Sequence, residues 1–222
     1  MTEKEAIMVR HSVRQYKADS IEEEKCVELN NLIDECNSKS GLNIQLILDD
    51  AACFDTFLAH YGKFSNAKNY VALVGKKSVE NLDELCGYYG QKIVLAAQMM
   101  GLNTCWVAGT YDKGKCKAVV QPDEKIVCVI SIGYGVNQGH ERRSKPMEKL
   151  CNVAQQDMPA WFKDGMEAAM KAPTAINQQK FFVTLDGENV TIKAKFAAMA
   201  KIDLGIVKYN FEVASGKKVH FW

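Results

Sequence analysis

The chain has 222 residues, 47% of them apolar and 25% charged, with only four prolines and fifteen glycines. This composition excludes a disordered, fibrous or low-complexity chain and predicts a folded protein with a substantial core. Lys and Arg number 28 against 27 Asp and Glu, a balance that offers no field for a nucleic-acid partner or an anionic membrane surface.

Thr2 with Glu5 and Ser20 with Glu23 have the capping-box spacing, so a helix is predicted to begin at each. The second carries Cys26, Leu29, Leu32, Ile33 and Cys36 on one stripe. Ile44, Leu46 and Leu48 then change to the alternation of a strand. A continuous apolar run predicts a buried strand over 70–74. Ser78 is expected to cap a long helix ending near Gly101, followed by a strand over 104–107. Residues 125–132 are the strongest strand candidate. Its apolar core, 126–132, is far shorter than the roughly 18 residues of a membrane span. Asp157 is an N-cap candidate for a helix through Met170. Strands over 181–185 and 190–193 then flank an Asp186-Gly187 turn as a hairpin. The class predicted is α+β, a mixed sheet flanked by helices.

The eight cysteines follow no apolar leader, and a chain this long needs no covalent staples, so they read as reduced thiols in a cytoplasmic protein. No Cys-x-x-Cys pair occurs, and His11, His60, His140 and His220 are far apart in sequence. No metal site is expected.

Residues 25–50 overlay 162–187 without a gap, matching Ser20 with Asp157, Leu29 with Met166, and Ile44, Leu46 and Leu48 with Phe181, Val183 and Leu185. A second ungapped overlay pairs Gly90 with Gly205, Gly101 with Gly216 and Trp106 with Phe221. Two α+β segments can share such periodicity by chance; taken together, the overlays are read as two related halves, 1–150 and a truncated 151–222.

Arg10-His11-Ser12-Val13-Arg14 closes the first helix with two guanidiniums and a hydroxyl, the donor set that grips a phosphate monoester through forked, charge-assisted bonds. Basic residues at a helix C-terminus also complement its dipole. Arg142, Arg143 and Lys145 form a second basic cluster after a core strand, where a solvated loop is the ordinary reading. Ala172-Pro173-Thr174-Ala175-Ile176-Asn177-Gln178-Gln179 is a polar loop whose amides can meet the edge of a heterocycle, or simply connect a helix to a strand. Gly133-Tyr134-Gly135-Val136-Asn137-Gln138-Gly139 misplaces the third glycine of a dinucleotide fingerprint and reads as a turn.

Together these segments resemble the FMN-dependent nitroreductase family. Arg10-x-Ser12-x-Arg14 with Tyr16 is similar to its N-terminal phosphate motif, and the Ala172-Pro173-Thr174-Ala175 segment is similar to its Ala-Pro-Ser loop. Gly101 through Gly109 resembles its glycine-containing strand, and Arg143-x-Lys145-Pro146 its late basic pair. The order differs from the family's usual one, in which the Ala-Pro-Ser loop follows the first long helix; here 36–42 has lost it and the loop comes after residue 170. The chain therefore resembles the branch in which a pseudo-dimer is fused into one polypeptide, a monomer with one complete flavin site. His11 stands where Arg is usual, Thr174 for Ser, and Lys180 for Pro.

The resemblance implies FMN as cofactor, NADH or NADPH as donor, and a small nitro, quinone or other electrophilic acceptor. It assigns the FMN phosphate to Arg10, Ser12, Arg143 and Lys145, and the flavin's pyrimidine edge to Arg14. Ala108 and Gly109 would offer backbone N–H groups to the redox-active N5, and Pro173, Thr174, Ala175 and Asn177 would complete the cofactor site. No catalytic side chain is implied, because hydride chemistry belongs to the cofactor. Lys180 leaves an alternative open: a protein that stores or senses FMN without turnover.

Overall fold

The computed structural model describes residues 1–56 and 62–219. His60, His220 and the Trp106–Phe221 pairing of the second overlay therefore involve positions outside the described residues. The chain packs as two compact units. One comprises Met1–Val9, Asp83–Lys92 and the segment from Glu141 onward; the other comprises Arg10–Leu82 and Ile93–His140.

In the second unit β1 (Gln45–Ile47), β2 (Tyr70–Lys76), β3 (Asn103–Val107) and β4 (Glu124–Gly133) form a sheet in the order β1-β2-β4-β3. All three strand pairs are antiparallel. Among the described residues the parallel pairing of the expected mixed sheet occurs as isolated bridges, Ser12 with Thr104 and Gln15 with Ser65 in this unit and Cys151 with Val183 in the other. β2 is buried on both faces from Tyr70 to Val74, as its uninterrupted apolar run predicts. Tyr70, Ala72 and Val74 share one core with Phe54, Phe64 and Val129.

Helix α2 (Glu23–Ser40) buries Cys26, Leu29, Ile33 and Cys36 of the predicted stripe, while Leu32 is half-buried. Its start corrects the expected Ser20 capping box: the N-cap is Glu22 and no side chain caps it. Glu22 is engaged instead by the Tyr134 hydroxyl and by Lys25, whose ammonium also reaches Tyr134 at 2.6 Å.

The other unit holds α1 (Glu3–Val9), the first part of α3 (Leu82–Met99), α4 (Ala160–Met170), α5 (Ala200–Ser215) and the hairpin β5 (Phe181–Asp186) with β6 (Asn189–Ala194). The first capping box forms both of its bonds, Glu5 N–H to Thr2 Oγ1 at 3.2 Å and Thr2 N–H to Glu5 Oε2 at 2.8 Å. Two other helix starts are displaced from expectation. Asn81, not Ser78, precedes α3, because Ser78 lies in a turn. Asp157 closes a 3-10 turn, and α4 begins after Pro159, whose φ of −56° already suits a helix start. The hairpin pairs Asp186 with Asn189 around Gly187 at φ 59°, a conformation glycine adopts without steric cost.

α5 is missing from the chain-order prediction. It is buried almost all round, and its buried positions include Asp203, Lys208, Asn210 and Glu212, so no apolar stripe marks it. It crosses α3 at two glycines. A Cβ on Gly87 would stand 2.0 Å from the Ile202 carbonyl oxygen, and one on Gly205 would stand 2.0 Å from that of Glu84. The buried ion pair between Lys208 Nζ and Glu84 Oε1, 2.5 Å long, lies at the same crossing. Among the described residues no helix is long and apolar enough to cross a membrane, and no cluster of three or more His, Cys, Asp or Glu side chains is placed to hold a metal ion.

Candidate functional site

The phosphate-motif segment leaves α1 and runs as extended chain against the sheet of its own unit. Val13 N–H bonds the Thr104 carbonyl at 3.0 Å, Tyr16 N–H the Ser65 carbonyl at 3.0 Å, and Ser65 N–H the Arg14 carbonyl at 3.1 Å. On the far side Lys17 N–H meets Tyr134 O at 2.8 Å and Val136 N–H meets Gln15 O at 2.9 Å. The Tyr16 hydroxyl, buried, lies 2.7 Å from both the Val13 carbonyl and Ser131 Oγ. Burial is the first cause that holds its pKa well above the usual tyrosine value, so it stays a neutral hydrogen-bonding strut. Five successive backbone positions, 13–17, are thus fixed before any ligand arrives.

The glycine run after β4 is the bed for this segment. A Cβ on Gly135 would lie 2.5 Å from Asn137 O, 2.7 Å from Asn103 Oδ1 and 2.9 Å from Val13 Cγ1; one on Gly139 would lie 2.6 Å from His11 Cβ. These glycines permit close backbone approach, and the turn expected for them is present. Asn103 Oδ1 accepts the Gly135 N–H at 3.0 Å, which fixes the turn to the start of β3.

On this bed Arg10 is buried at 3% exposure, Ser12 is half-buried and Arg14 is exposed. β3 leads directly into Ala108, half-buried, and Gly109, exposed. A Cβ on Gly109 would meet nothing within 4 Å, so the space over this backbone is open on the protein side.

In the other unit, the 172–179 loop and the late basic pair form one hydrogen-bonded construction. Thr174 Oγ1 accepts the Gln179 N–H at 3.1 Å, and Asn177 Nδ2 donates to the Arg143 carbonyl at 2.9 Å. Lys145 Nζ donates to the carbonyls of Gln178 and Gln179 at 2.6 and 3.0 Å, while its N–H donates to Gln179 Oε1 at 2.7 Å. Two of the three ammonium protons are therefore directed at carbonyls, and desolvation lowers the lysine's pKa. Arg143 is exposed, Pro173 and Thr174 are buried, and Ala175 is half-buried. Ile176, Asn177 and Gln179 have φ of 47°, 56° and 44°, a left-handed conformation that is strained for a β-branched isoleucine.

Two residues absent from the sequence-based site hold this loop in place. Asp203, on α5, accepts the Ala175 N–H at 3.0 Å and Gln178 Nε2 at 2.7 Å. Gln179 ties the loop to Lys145 and, through Nε2, to the Met170 carbonyl at 3.2 Å. Gln179 could be found in the motif itself; Asp203 carries no local signal.

The "Putative TM nitroreductase" family model matches residues 3–215, and the chain belongs to this family. Among solved structures, a "putative nitroreductase" from Thermotoga maritima superposes with a TM-score of 0.71 at 20% identity, covering 96% of this chain and 83% of that one. A "putative NADH dehydrogenase/NAD(P)H nitroreductase" from Bacteroides thetaiotaomicron superposes at 0.52 with 22% identity, over 67% of this chain and 95% of that one. A "putative nitroreductase" from Desulfovibrio desulfuricans, solved with FMN bound, superposes at 0.51 with 22% identity, over 67% and 94%. These likenesses establish the nitroreductase fold. Among curated proteins none matches significantly.

Proposed function

We propose that the chain is an FMN-dependent oxidoreductase that passes hydride from NADH or NADPH to a small nitro, quinone or other electrophilic acceptor. The observation that carries this reading is the Arg10-x-Ser12-x-Arg14 segment, whose chain is held by backbone bonds to Thr104 on β3, to Ser65 and to the segment that follows β4, in a chain of the nitroreductase family. The donor set has the chemistry a phosphate monoester requires, and the open space at Gly109 admits a flat ring against the backbone. FMN, when bound, supplies a ring that accepts and returns a hydride at N5.

The chain's own residues bind and orient. Arg10, Ser12, Arg143 and Lys145 are assigned to the phosphate, with Lys145 bringing the one ammonium proton not directed at Gln178 and Gln179. Arg14 supplies positive charge where reduction brings negative charge, which favours the reduced state. Ala108 and Gly109 present backbone N–H groups, and Pro173, Thr174, Ala175 and Asn177 form the loop contribution. No side chain is assigned a proton-transfer role.

The division into related halves, 1–150 and 151–222, is proposed as a statement about descent. It is supported by helix-loop-strand units recurring as α2 with β1 and α4 with β5, and by two thirds of this chain spanning nearly all of a shorter neighbour. It goes with a monomer holding one FMN.

Flavin titration tests the binding. The parent should bind FMN, and Arg143→Ala, an exposed change, should weaken FMN by about one to two decades while leaving riboflavin nearly unchanged, since only FMN bears the phosphate. No FMN binding by the parent overturns the proposal; equal weakening of both ligands removes Arg143 from the phosphate site.

A further inference from the structure

The β5–β6 hairpin sorts its residues by face. Phe181, Val183 and Ile192 are buried, and the positions between them share the opposite face: Lys180, Phe182 and Thr184 on one side, Thr191, Lys193 and Lys195 on the other. Phe182 pairs with Lys193. The Lys195 N–H donates to the Lys180 carbonyl at 2.8 Å, which carries the register one step past the Phe181–Ala194 pair and sets Lys180 opposite Lys195.

Like charges directly opposite on a sheet repel, and a third ammonium, that of Lys193, lies two residues along. All three lysines are exposed, and among the described residues none of them pairs with a carboxylate. The hairpin's own acids, Asp186 and Glu188, lie at its turn, six residues or more from Lys180 and so about 20 Å away along the strand, roughly two Debye lengths in physiological salt. Glu188 is moreover paired with Lys217 at 3.4 Å. Lys195 Nζ stands over the Phe182 ring, 4.9 Å from its centroid, a cation–π contact that holds the charge on this face. The surface is thus cationic without an internal counterion.

Phe196, next to Lys195, is wholly exposed, as is Ile176. Gln178 Nε2 donates to the Ala198 carbonyl at 2.8 Å, so the stretch that follows Lys195 is tied to the 172–179 loop, and Lys180 follows directly on Gln179, the end of that loop. Lysines guard exposed strands against pairing with another chain, but a guard gains nothing from a bare phenylalanine beside it. Point charges that take phosphate oxygens, set beside a free aromatic face that takes a base, are the two elements of nucleotide binding. The patch is one hairpin wide, and the chain as a whole has 28 basic against 27 acidic residues, so it suits a group with a few negative charges rather than an extended polyanion.

We infer that Lys180, Lys193 and Lys195, with Phe196, form a docking surface for the adenosine diphosphate half of the nicotinamide dinucleotide. The lysines take the pyrophosphate and relieve their mutual repulsion, Phe182 keeps Lys195 in place, and Phe196 stacks on the adenine. The assignment rests on the proposed use of NADH or NADPH and adds where the donor is recognised.

The test uses the full chain. FMN is titrated first; a chain that binds none fails the functional reading, whatever follows. ADP is then titrated calorimetrically with FMN in excess, so that the phosphate grip assigned to FMN is not open to it. The parent should bind ADP, more weakly as sodium chloride rises from about 0.05 to about 0.5 M. The double variant Lys180→Ala with Lys195→Ala should weaken ADP by about tenfold, and Phe196→Ala should weaken it by about fivefold or more. All three positions are exposed, so folding is not at stake, and FMN affinity should stay within about twofold of the parent. Absence of ADP binding by the parent, or equal ADP affinity in parent and variants, overturns the inference. So does an equal fall in FMN affinity, which would give these lysines to the flavin instead.

Discussion

The buried carboxylate of Asp203 receives the backbone N–H of Ala175 at 3.0 Å, so a residue of α5 sets the conformation of a loop distant in sequence. Its second acceptor contact, to Gln178 at 2.7 Å, places the next turn of the same loop. Burial, ahead of these bonds, holds the Asp203 pKa above the ordinary aspartate value.

The native state therefore holds the Asp203 proton more tightly than the unfolded chain. Its contribution to stability is fully present below the unfolded-state pKa and is lost as pH rises through the higher native one. Asp203→Asn does not titrate. The stability of the parent relative to this variant should thus decline with rising pH across that window. Asp203→Ala should cost about 1 to 3 kcal/mol, since it leaves the Ala175 N–H without its acceptor. Urea denaturation over a pH series measures both.

Two glycine substitutions separate fold from function. Gly135→Ala should destabilise by about 1 to 3 kcal/mol, because its Cβ would press on Asn137 O, Asn103 Oδ1 and Val13. Gly109→Ala meets nothing within 4 Å and should stay within about 0.5 kcal/mol of the parent, yet weaken FMN binding if a flavin ring lies against that backbone. Thermal unfolding read beside flavin titration gives both answers.

The fold was legible where burial follows local pattern. The continuous apolar run of β2, the long β4, the hairpin and the Thr2–Glu5 box all need only neighbouring residues. α5 was not, because Lys208, Asn210 and Glu212 are buried through partners on other helices: Glu84 on α3, the Ala168 carbonyl on α4 and Tyr88 on α3. The starts of α2 and α4 shifted because Glu22 is taken by Tyr134 and Pro159 supplies the entry. At the candidate site, the basic, glycine and loop segments were visible as motifs. Asp203 was hidden, since an aspartate inside an apolar helix acquires meaning only from the loop it contacts.

The Lys208–Glu84 pair, 0% and 8% exposed at the side chains, should resist the loss of either partner. Lys208→Met alone should cost about 3 to 5 kcal/mol by leaving a buried carboxylate, while Lys208→Met with Glu84→Leu should recover most of that loss. A urea double-mutant cycle reads the coupling.

Tyr16→Phe removes the hydroxyl shared by Val13 O and Ser131 Oγ and should cost about 1 to 3 kcal/mol. Because that hydroxyl braces the segment carrying Ser12 and Arg14, FMN affinity should fall with it, in contrast to a substitution remote from that segment. Paired urea and flavin titrations check this.

The central claim is that this chain turns over a bound flavin, and anaerobic stopped-flow reduction of the FMN-loaded protein tests it most directly. NADH or NADPH should bleach the flavin band before any acceptor is added, with the oxidised nucleotide leaving before the acceptor binds. Arg14→Ala should slow this bleaching more than it weakens FMN binding, because its charge acts on negative charge that reduction creates. A parent protein with FMN fully bound that neither nucleotide reduces would contradict the account and favour a flavin-storing protein instead.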